Sequence, residues 1–187
     1  LLAAGWLRLH DLGARPMHAD EANQAVKLGR MLEGGSYRFD PGDHHGPTLY
    51  YFARVPAWLR GERSLASLTE FTVRLTPALF GVAAVWLVWL LARPLGPWPA
   101  LAAALLLALS PAAVYYSRYF IQETLLVTFT LAAMASGQRW WRAQQTVAAD
   151  VRRLKARCAD GNSLVTSAAT GNPFSQRSRC GFGWAAM

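Results

Sequence analysis

The feature that most constrains this sequence is a long apolar run without a single charge, from Leu75 to Ala92. A helix that crosses a bilayer needs about 20 mostly apolar residues, and this run approaches that length. Pro77 falls in its first turn, where a missing backbone amide does a helix no harm. The run therefore predicts a membrane-spanning helix over residues 75–92.

Two further apolar segments follow, over residues 98–117 and 119–137. Residues 1–9 are too few to span a bilayer. They are typical of the end of a truncated membrane helix, although an interfacial anchor or the end of a signal sequence has a similar composition. The sequence thus predicts an all-α, multi-pass bundle of transmembrane helices, with three spans over residues 75–137.

The formal net charge of +8 is distributed unevenly along the chain. Lys and Arg greatly outnumber the acids over residues 138–157, whereas the two signs nearly balance over residues 10–74. Cytoplasmic segments of membrane proteins are enriched in Lys and Arg, so residues 138–157 are predicted to be cytoplasmic and residues 10–74 to form an extracytoplasmic loop. The excess of positive charge lies on only one side of the apolar segments, which argues against nucleic acid as a partner.

The basic segment also has apolar residues at helical spacing. These are Trp140, Trp141, Val147, Val151 and Leu154. The pattern predicts an amphipathic juxtamembrane helix that lies on anionic membrane lipids. Residues 158–187 have no such period and are rich in Ser, Gly, Asn and Thr, which predicts a disordered tail or the product of a frameshift. Cys158 and Cys180 fit neither a zinc motif nor a disulfide framework.

The long loop contains two adjacent carboxylates, Asp20 and Glu21, ahead of a helical apolar pattern over residues 22–32. One interpretation is structural, because Asp is a favoured N-cap residue and Glu in the first turn complements the helix dipole. The other is functional, since the loop contains further titratable side chains and loops often hold catalytic groups. Composition alone leaves both interpretations open.

A second polar cluster follows over residues 40–47. A metal site is an alternative for the histidines and acids of the loop, although their spacing matches no familiar ligand motif and no cofactor is predicted. Its ligands would come from His18, Asp20, Asp43, His44 and His45. The next segment, residues 49–59, is apolar and aromatic with flanking arginines, which predicts a helix along the membrane interface.

Arg118 and Glu123 lie at the junction between the second and third predicted spans. Arginine at the end of a span often extends to the headgroups, and a Glu one turn into a helix often stays in the interface. Ionisable residues at membrane depth also often face a bundle interior or a pathway. On one ideal helix the two side chains would be about 140° apart, so they are not a natural ion pair.

Three segments resemble a known group of enzymes. They are HADEA at 18–22, YRFDPGDHHGPTLYY at 37–51 and SPAAVYYSRYFIQE at 110–123. In this order they resemble the N-terminal part of GT-C superfamily membrane glycosyltransferases, in the branch with the protein O-mannosyltransferases and aminoarabinose transferases. Within that branch the chain is most similar to a prokaryotic family of flippase-activity-associated proteins, over about residues 10–140.

The resemblance implies a multi-pass enzyme of the prokaryotic inner membrane that transfers a sugar from a polyprenyl-phosphate donor to an acceptor protein, lipid or glycan on the outer face. Asp20 is then the catalytic base and Glu21 its acidic neighbour. Arg118 contacts the donor phosphate and Glu123 contributes to the same site. The other implied substrate-binding residues are His18, His45 and Tyr50.

A second function fits the same residues: a non-catalytic membrane component that assists translocation of lipid-linked sugars, with the loop binding a headgroup. The enzymes of this superfamily typically have many more spans and a longer chain. The sequence is therefore interpreted as an N-terminal fragment, which by itself is expected to be inactive.

Overall fold

A computed structural model describes residues 1–39, 42 and 45–168. Seven α-helices account for its regular structure, together with single 3₁₀ turns at Leu65–Ser67 and Arg93–Leu95. The helices are α1 Leu2–Leu9, α2 Ala19–Leu32, α3 Thr48–Leu59, α4 Glu70–Ala92, α5 Pro97–Leu109, α6 Pro111–Ser117 and α7 Glu123–Ala168. No strand occurs among the described residues, so the prediction of an all-α fold is confirmed.

The chain divides into two compact units, Leu1–Gly137 and Gln138–Met187. In the first unit, the predicted loop over residues 10–74 contains α2, α3 and the start of α4. In the second unit, α7 continues to Ala168, beyond the predicted start of the tail at residue 158. The remainder of that predicted tail, residues 169–187, lies outside the described residues.

One described helix is long and apolar enough to cross a membrane, Glu70–Leu95, with a mean hydropathy of 2.1. It contains the first predicted span. Helices α5 and α6 are long and apolar enough for a second span only when they are counted together, and they are bent by 60° where they meet. The described residues therefore hold one or two candidate spans, and the multi-pass prediction is not confirmed.

Specific hydrogen bonds accompany the breaks in the other two predicted spans. Ser110 has an extended ψ of 118°, as favoured before a proline, and its side chain accepts the Ala113 amide as the cap of α6. The predicted span over 119–137 becomes an α-helix only at Glu123. Before that residue, the Phe120 amide donates 3.0 Å to a Glu21 carboxylate oxygen rather than to a helical carbonyl.

The main hydrophobic core of the first unit joins α2, α3 and α4 with Phe120 and Leu125. Helix α2 contains the predicted pattern over residues 22–32, and α3 begins one residue before the predicted segment over 49–59. The buried face of α3 repeats at helical spacing through Leu49, Tyr50, Ala53 and Ala57. Its opposite face exposes large apolar side chains, namely Tyr51, Val55, Trp58 and Leu59.

Helix α1 contributes a buried cation to the same unit. The Arg8 guanidinium donates 3.1 Å to the Ala108 carbonyl and 3.2 Å to the Leu107 carbonyl. The last carbonyls of a helix have no intrahelical partner, so Arg8 satisfies the C-terminal end of α5. Gly81 in α4 makes this approach possible, because a Cβ there would lie 2.5 Å from Ser117 Cβ and 3.0 Å from Arg8 Nε.

Candidate functional site

The polar loop is held to the helices by a buried ion pair between Glu21 and Arg74. Arg74 Nε donates 2.9 Å to Glu21 Oε1, and Arg74 Nη2 donates 2.7 Å to Glu21 Oε2. Neither side chain exceeds 1% exposure. The remaining guanidinium donors bond the backbone carbonyls of three loop residues, Leu12, Arg15 and Pro16. One arginine of α4 thus fixes both the path of the loop and the start of α2.

Glu21 also accepts two backbone amides, from Phe120 at 3.0 Å and from His18 at 3.1 Å. Burial raises the pKa of the Glu21 carboxyl, but the hydrogen bonds from Arg74, Phe120 and His18 outweigh it and hold the pKa below its ordinary value. Both carboxylate oxygens are therefore occupied by donors of the protein. The structure places Glu21 at the centre of a structural network, apart from the exposed Asp20 with which it was grouped.

His18, rather than Asp20, is the N-cap of α2. The Asp20 amide donates 3.4 Å to His18 Nδ1, and the Glu21 side chain bonds the His18 amide in return. This reciprocal pair is a capping box, so the interpretation of Asp20 as the N-cap is wrong. The Asp20 carboxylate is 72% exposed and lies 3.5 Å from His18 Nδ1. It stands in the first turn of α2 without serving as its cap.

Asp20 faces a cavity of about 360 Å³, which we term the acidic cavity. Four of the seven predicted site residues line it together: His18, Asp20, His45 and Glu123. The other lining residues are Asn23, Gln24, Tyr115, Tyr116, Tyr119 and Ile121. Side chains from α2, the following loop, α6 and the α6–α7 junction therefore meet around one space, which offers carboxylates, imidazoles and phenol groups.

The position of His45 is fixed through the backbone around it. The Tyr37 hydroxyl donates to the His45 carbonyl. The Gln122 side chain bonds the backbone of Gly46, the residue after His45. It donates 2.6 Å to the Gly46 carbonyl and accepts a hydrogen bond from the Gly46 amide at 3.2 Å. In the sequence, Gln122 lies near the start of the third predicted span. The structure makes it the anchor of the loop at the edge of the acidic cavity.

Tyr50 is fully buried and does not line the acidic cavity. Its hydroxyl donates to Gln24 Oε1, and Gln24 lines the cavity. Burial, with a smaller contribution from Tyr37, raises the pKa of the Tyr50 hydroxyl to about 12. Tyr50 thus stays protonated near neutral pH and orients a residue of the cavity wall.

Arg118 lies in a second, neighbouring cavity of about 560 Å³, which we term the cationic cavity. Its guanidinium donates 3.1 Å to each of two carbonyls at the end of α1, those of Leu7 and Asp11. Arg15 and Arg74 line the same space with one acid, Asp11, and apolar side chains surround them. Arg118 follows the last residue of α6, whereas Glu123 is the first residue of α7. The two side chains line different cavities.

Tyr115 lines both cavities and therefore forms part of the wall between them. The Arg15 guanidinium lies 5.5 Å from the centre of the Tyr115 ring and 4.5 Å from that of Tyr119. Such cation–π contacts attract a guanidinium to the ring face. Arg15 Nη2 also donates 3.4 Å to the Arg118 carbonyl. A positive side chain thus stands on aromatic rings at the boundary between an acidic and a cationic space.

Sequence reasoning did not identify Arg15, Arg74, Tyr115 or Tyr119 as parts of the site. Both arginines lie in the predicted loop over residues 10–74, Arg15 near its start and Arg74 at its end. No local pattern connects Arg74 to an acid so distant in sequence. For the two tyrosines a signal exists, since they lie within the SPAAVYYSRYFIQE segment.

The described residues contain no group of three or more His, Cys, Asp or Glu side chains arranged to hold a metal ion. Asp43 and His44, two members of the metal site considered from sequence, lie outside the described residues. The other three members, His18, Asp20 and His45, line the acidic cavity. There His18 caps α2, and the backbone carbonyl of His45 accepts a hydrogen bond from Tyr37.

Comparison with known proteins gives one match. The model of a family described as dolichyl-phosphate-mannose-protein mannosyltransferase matches residues 44–149, more than half of the chain. The matched range includes His45, Tyr50, Arg118 and Glu123, whereas Asp20 precedes it. No individual curated protein and no solved structure matches the chain.

Proposed function

This chain belongs to the dolichyl-phosphate-mannose-protein mannosyltransferase family of GT-C membrane glycosyltransferases, and we propose that it takes part in sugar transfer from a polyprenyl-phosphate donor to an acceptor hydroxyl. The proposed reaction takes place at the outer face of a prokaryotic cell membrane. The acceptor is a protein, a lipid or a glycan. Among relatives, we place the chain with the flippase-activity-associated branch on the strength of the three sequence segments quoted above.

The observation that carries the proposal is the pair of adjoining cavities with opposite charge. Transfer of a sugar from a phosphate requires a base for the acceptor proton and a cation for the departing phosphate. Asp20 lines one cavity, Arg15 and Arg118 line the other, and Tyr115 lines both. This arrangement supports an acceptor on the acidic side, a donor phosphate on the cationic side and the anomeric carbon near the tyrosine wall.

In the proposed step, the hydroxyl oxygen of the acceptor forms a bond to the anomeric carbon. Asp20 accepts the proton that this hydroxyl loses. The bond from that carbon to the phosphate oxygen breaks, and its electron pair leaves with the phosphate. Arg15 and Arg118 stabilise the resulting negative charge. The apolar side chains around the two arginines, including Leu109 and Val114, suit the first isoprene units of the donor.

The remaining predicted residues have supporting roles in this proposal. His18 and His45 line the acidic cavity with Glu123 and offer hydrogen bonds to sugar or acceptor hydroxyls. Tyr50 acts through Gln24, as a positioning residue. The Glu21–Arg74 ion pair keeps the loop in place, so that Asp20 projects from the first turn of α2.

The experiment measures transfer of labelled sugar from a panel of polyprenyl-phosphate donors in membranes that contain the full-length protein or its Asp20→Asn variant. Asparagine keeps the size of the side chain and removes its basicity. Loss of a general base typically lowers the rate by about 10²–10⁴-fold, so transfer should nearly vanish. Asp150→Asn, which neutralises an exposed acid of the second unit, is the matched control and should leave transfer unchanged.

A non-catalytic role in translocation of lipid-linked sugars predicts a different result. A headgroup-binding loop needs no base, so Asp20→Asn would leave donor binding and translocation nearly intact. Absence of transfer from every donor, combined with equal donor binding by both forms, would replace the transferase proposal with the translocation role.

A further inference from the structure

The second unit exposes a helical surface that has no part in the proposed sugar transfer. Every residue of α7 from Arg139 to Ala156 is exposed. The helical prediction for this basic segment is confirmed.

Four of the large apolar side chains of this segment form one stripe, and Trp141 lies outside it. At 100° per residue, Trp140, Val147, Val151 and Leu154 fall within an arc of about 60°. Single exposed apolar residues are ordinary on protein surfaces, but a continuous stripe along a helix indicates an apolar partner. We name these four side chains the apolar stripe.

The cations of the segment lie beside and opposite the apolar stripe. They are Arg139, Arg142, Arg152, Arg153 and Lys155. Asp150 is the one acid between residues 139 and 156, so the segment has a clear positive excess. Within the described residues, none of the five cations forms an ion pair. The helix therefore offers unneutralised positive charge together with an apolar stripe.

We propose that residues 139–156 bind the surface of an anionic lipid bilayer. The apolar stripe enters the boundary between headgroups and acyl chains, and the flanking cations contact lipid phosphates. A nucleic acid would match the charge of the helix but would give the stripe no apolar phase. The family match ends at residue 149, so Arg152, Arg153 and Lys155 lie beyond the part shared with the family.

The experiment uses the whole chain in lipid nanodiscs of phosphatidylcholine alone, or of phosphatidylcholine mixed with phosphatidylglycerol. Hydrogen–deuterium exchange of the amides over residues 144–155 reports how strongly the helix is held. We expect about tenfold slower exchange in the anionic discs, and we expect high salt to remove most of that difference because it screens the lipid charge.

Two variants of equal charge separate insertion from simple attraction. Val151→Asp places a carboxylate in the apolar stripe, whereas Ala149→Asp places one about 160° away on the same helix. Protection in anionic discs should be lost in Val151→Asp and largely kept in Ala149→Asp. Exchange that does not depend on lipid charge, or equal losses in the two variants, would overturn the proposal in favour of a protein partner or of unspecific attraction.

Discussion

Glu21 and Asp20 are adjacent in sequence, yet the structure predicts opposite consequences when each is neutralised. Glu21→Gln removes the charge that faces Arg74 across two hydrogen bonds of 2.9 and 2.7 Å. It also places an amide NH₂ among groups that are all donors. Asp20→Asn alters a side chain that is 72% exposed. We therefore expect Glu21→Gln to unfold the loop and Asp20→Asn to leave the fold intact.

The size of the Glu21 effect follows from the surroundings of Arg74. Removing one partner of a buried ion pair costs about 3–5 kcal/mol, because the other charge remains buried. In Glu21→Gln, Arg74 keeps its hydrogen bonds to the carbonyls of Leu12, Arg15 and Pro16, which partly compensate its charge. We therefore expect the free energy of unfolding to fall by about 3 kcal/mol, the lower end of this range. Asp20→Asn loses an exposed charge near a helix N-terminus, worth about 0.3–1 kcal/mol.

The assay is urea unfolding in mild detergent micelles, followed by tryptophan fluorescence at neutral pH. Its midpoint and slope give the free energy of unfolding of each variant. The pH dependence adds a second check. Since the pKa of Glu21 is lowered in the folded state, its contribution is present above the unfolded value of about 4.3 and is lost as the pH falls through the folded value. The difference between wild type and Glu21→Gln should thus stay constant above about pH 5 and shrink in more acidic solution.

Equal free energies of unfolding for Glu21→Gln and Asp20→Asn would refute this reasoning. The ion pair would then contribute no more than an exposed charge, and the loop would have to be held by its apolar contacts. A large loss of free energy of unfolding in Asp20→Asn would likewise contradict the separation of roles. The loss of sugar transfer in that variant would then reflect unfolding rather than the loss of a base.

Two further predictions concern packing and alkaline stability. Gly81→Ala should lower the free energy of unfolding by about 1–3 kcal/mol, because the new methyl group would meet Ser117 and Arg8. Gly137→Ala, where a Cβ meets nothing within 4 Å, should be neutral or stabilising by up to about 1 kcal/mol. Urea unfolding that gives both variants the same loss of free energy of unfolding would contradict the close packing at Gly81. The pKa of Tyr50 is raised from 10.0 to about 12, so its stabilising contribution is complete below pH 10 and is lost as the pH rises toward 12. Wild type should lose about 2–3 kcal/mol more than Tyr50→Phe over that interval in pH-dependent unfolding, and parallel curves would show that the hydroxyl is not buried.

Local patterns were sufficient to predict several helices. The apolar spacing over residues 22–32 and 49–59 corresponds to α2 and α3, and the charge-free run over 75–92 lies within α4. These predictions succeed because apolar periodicity and proline position are properties of neighbouring residues. Predictions that treated residues 98–117 and 119–137 as uninterrupted spans missed the break at Ser110 and the non-helical residues before Glu123.

Local sequence patterns were enough to predict that the chain is helical and that one segment suits a bilayer. Only the tertiary structure decided which carboxylate is structural and which is exposed. Glu21 meets Arg74 across 53 positions of sequence, and Arg118 lies in a different cavity from Glu123 although five positions separate them. The physical reason is that burial and ion pairing depend on distances in space, which a local pattern does not contain.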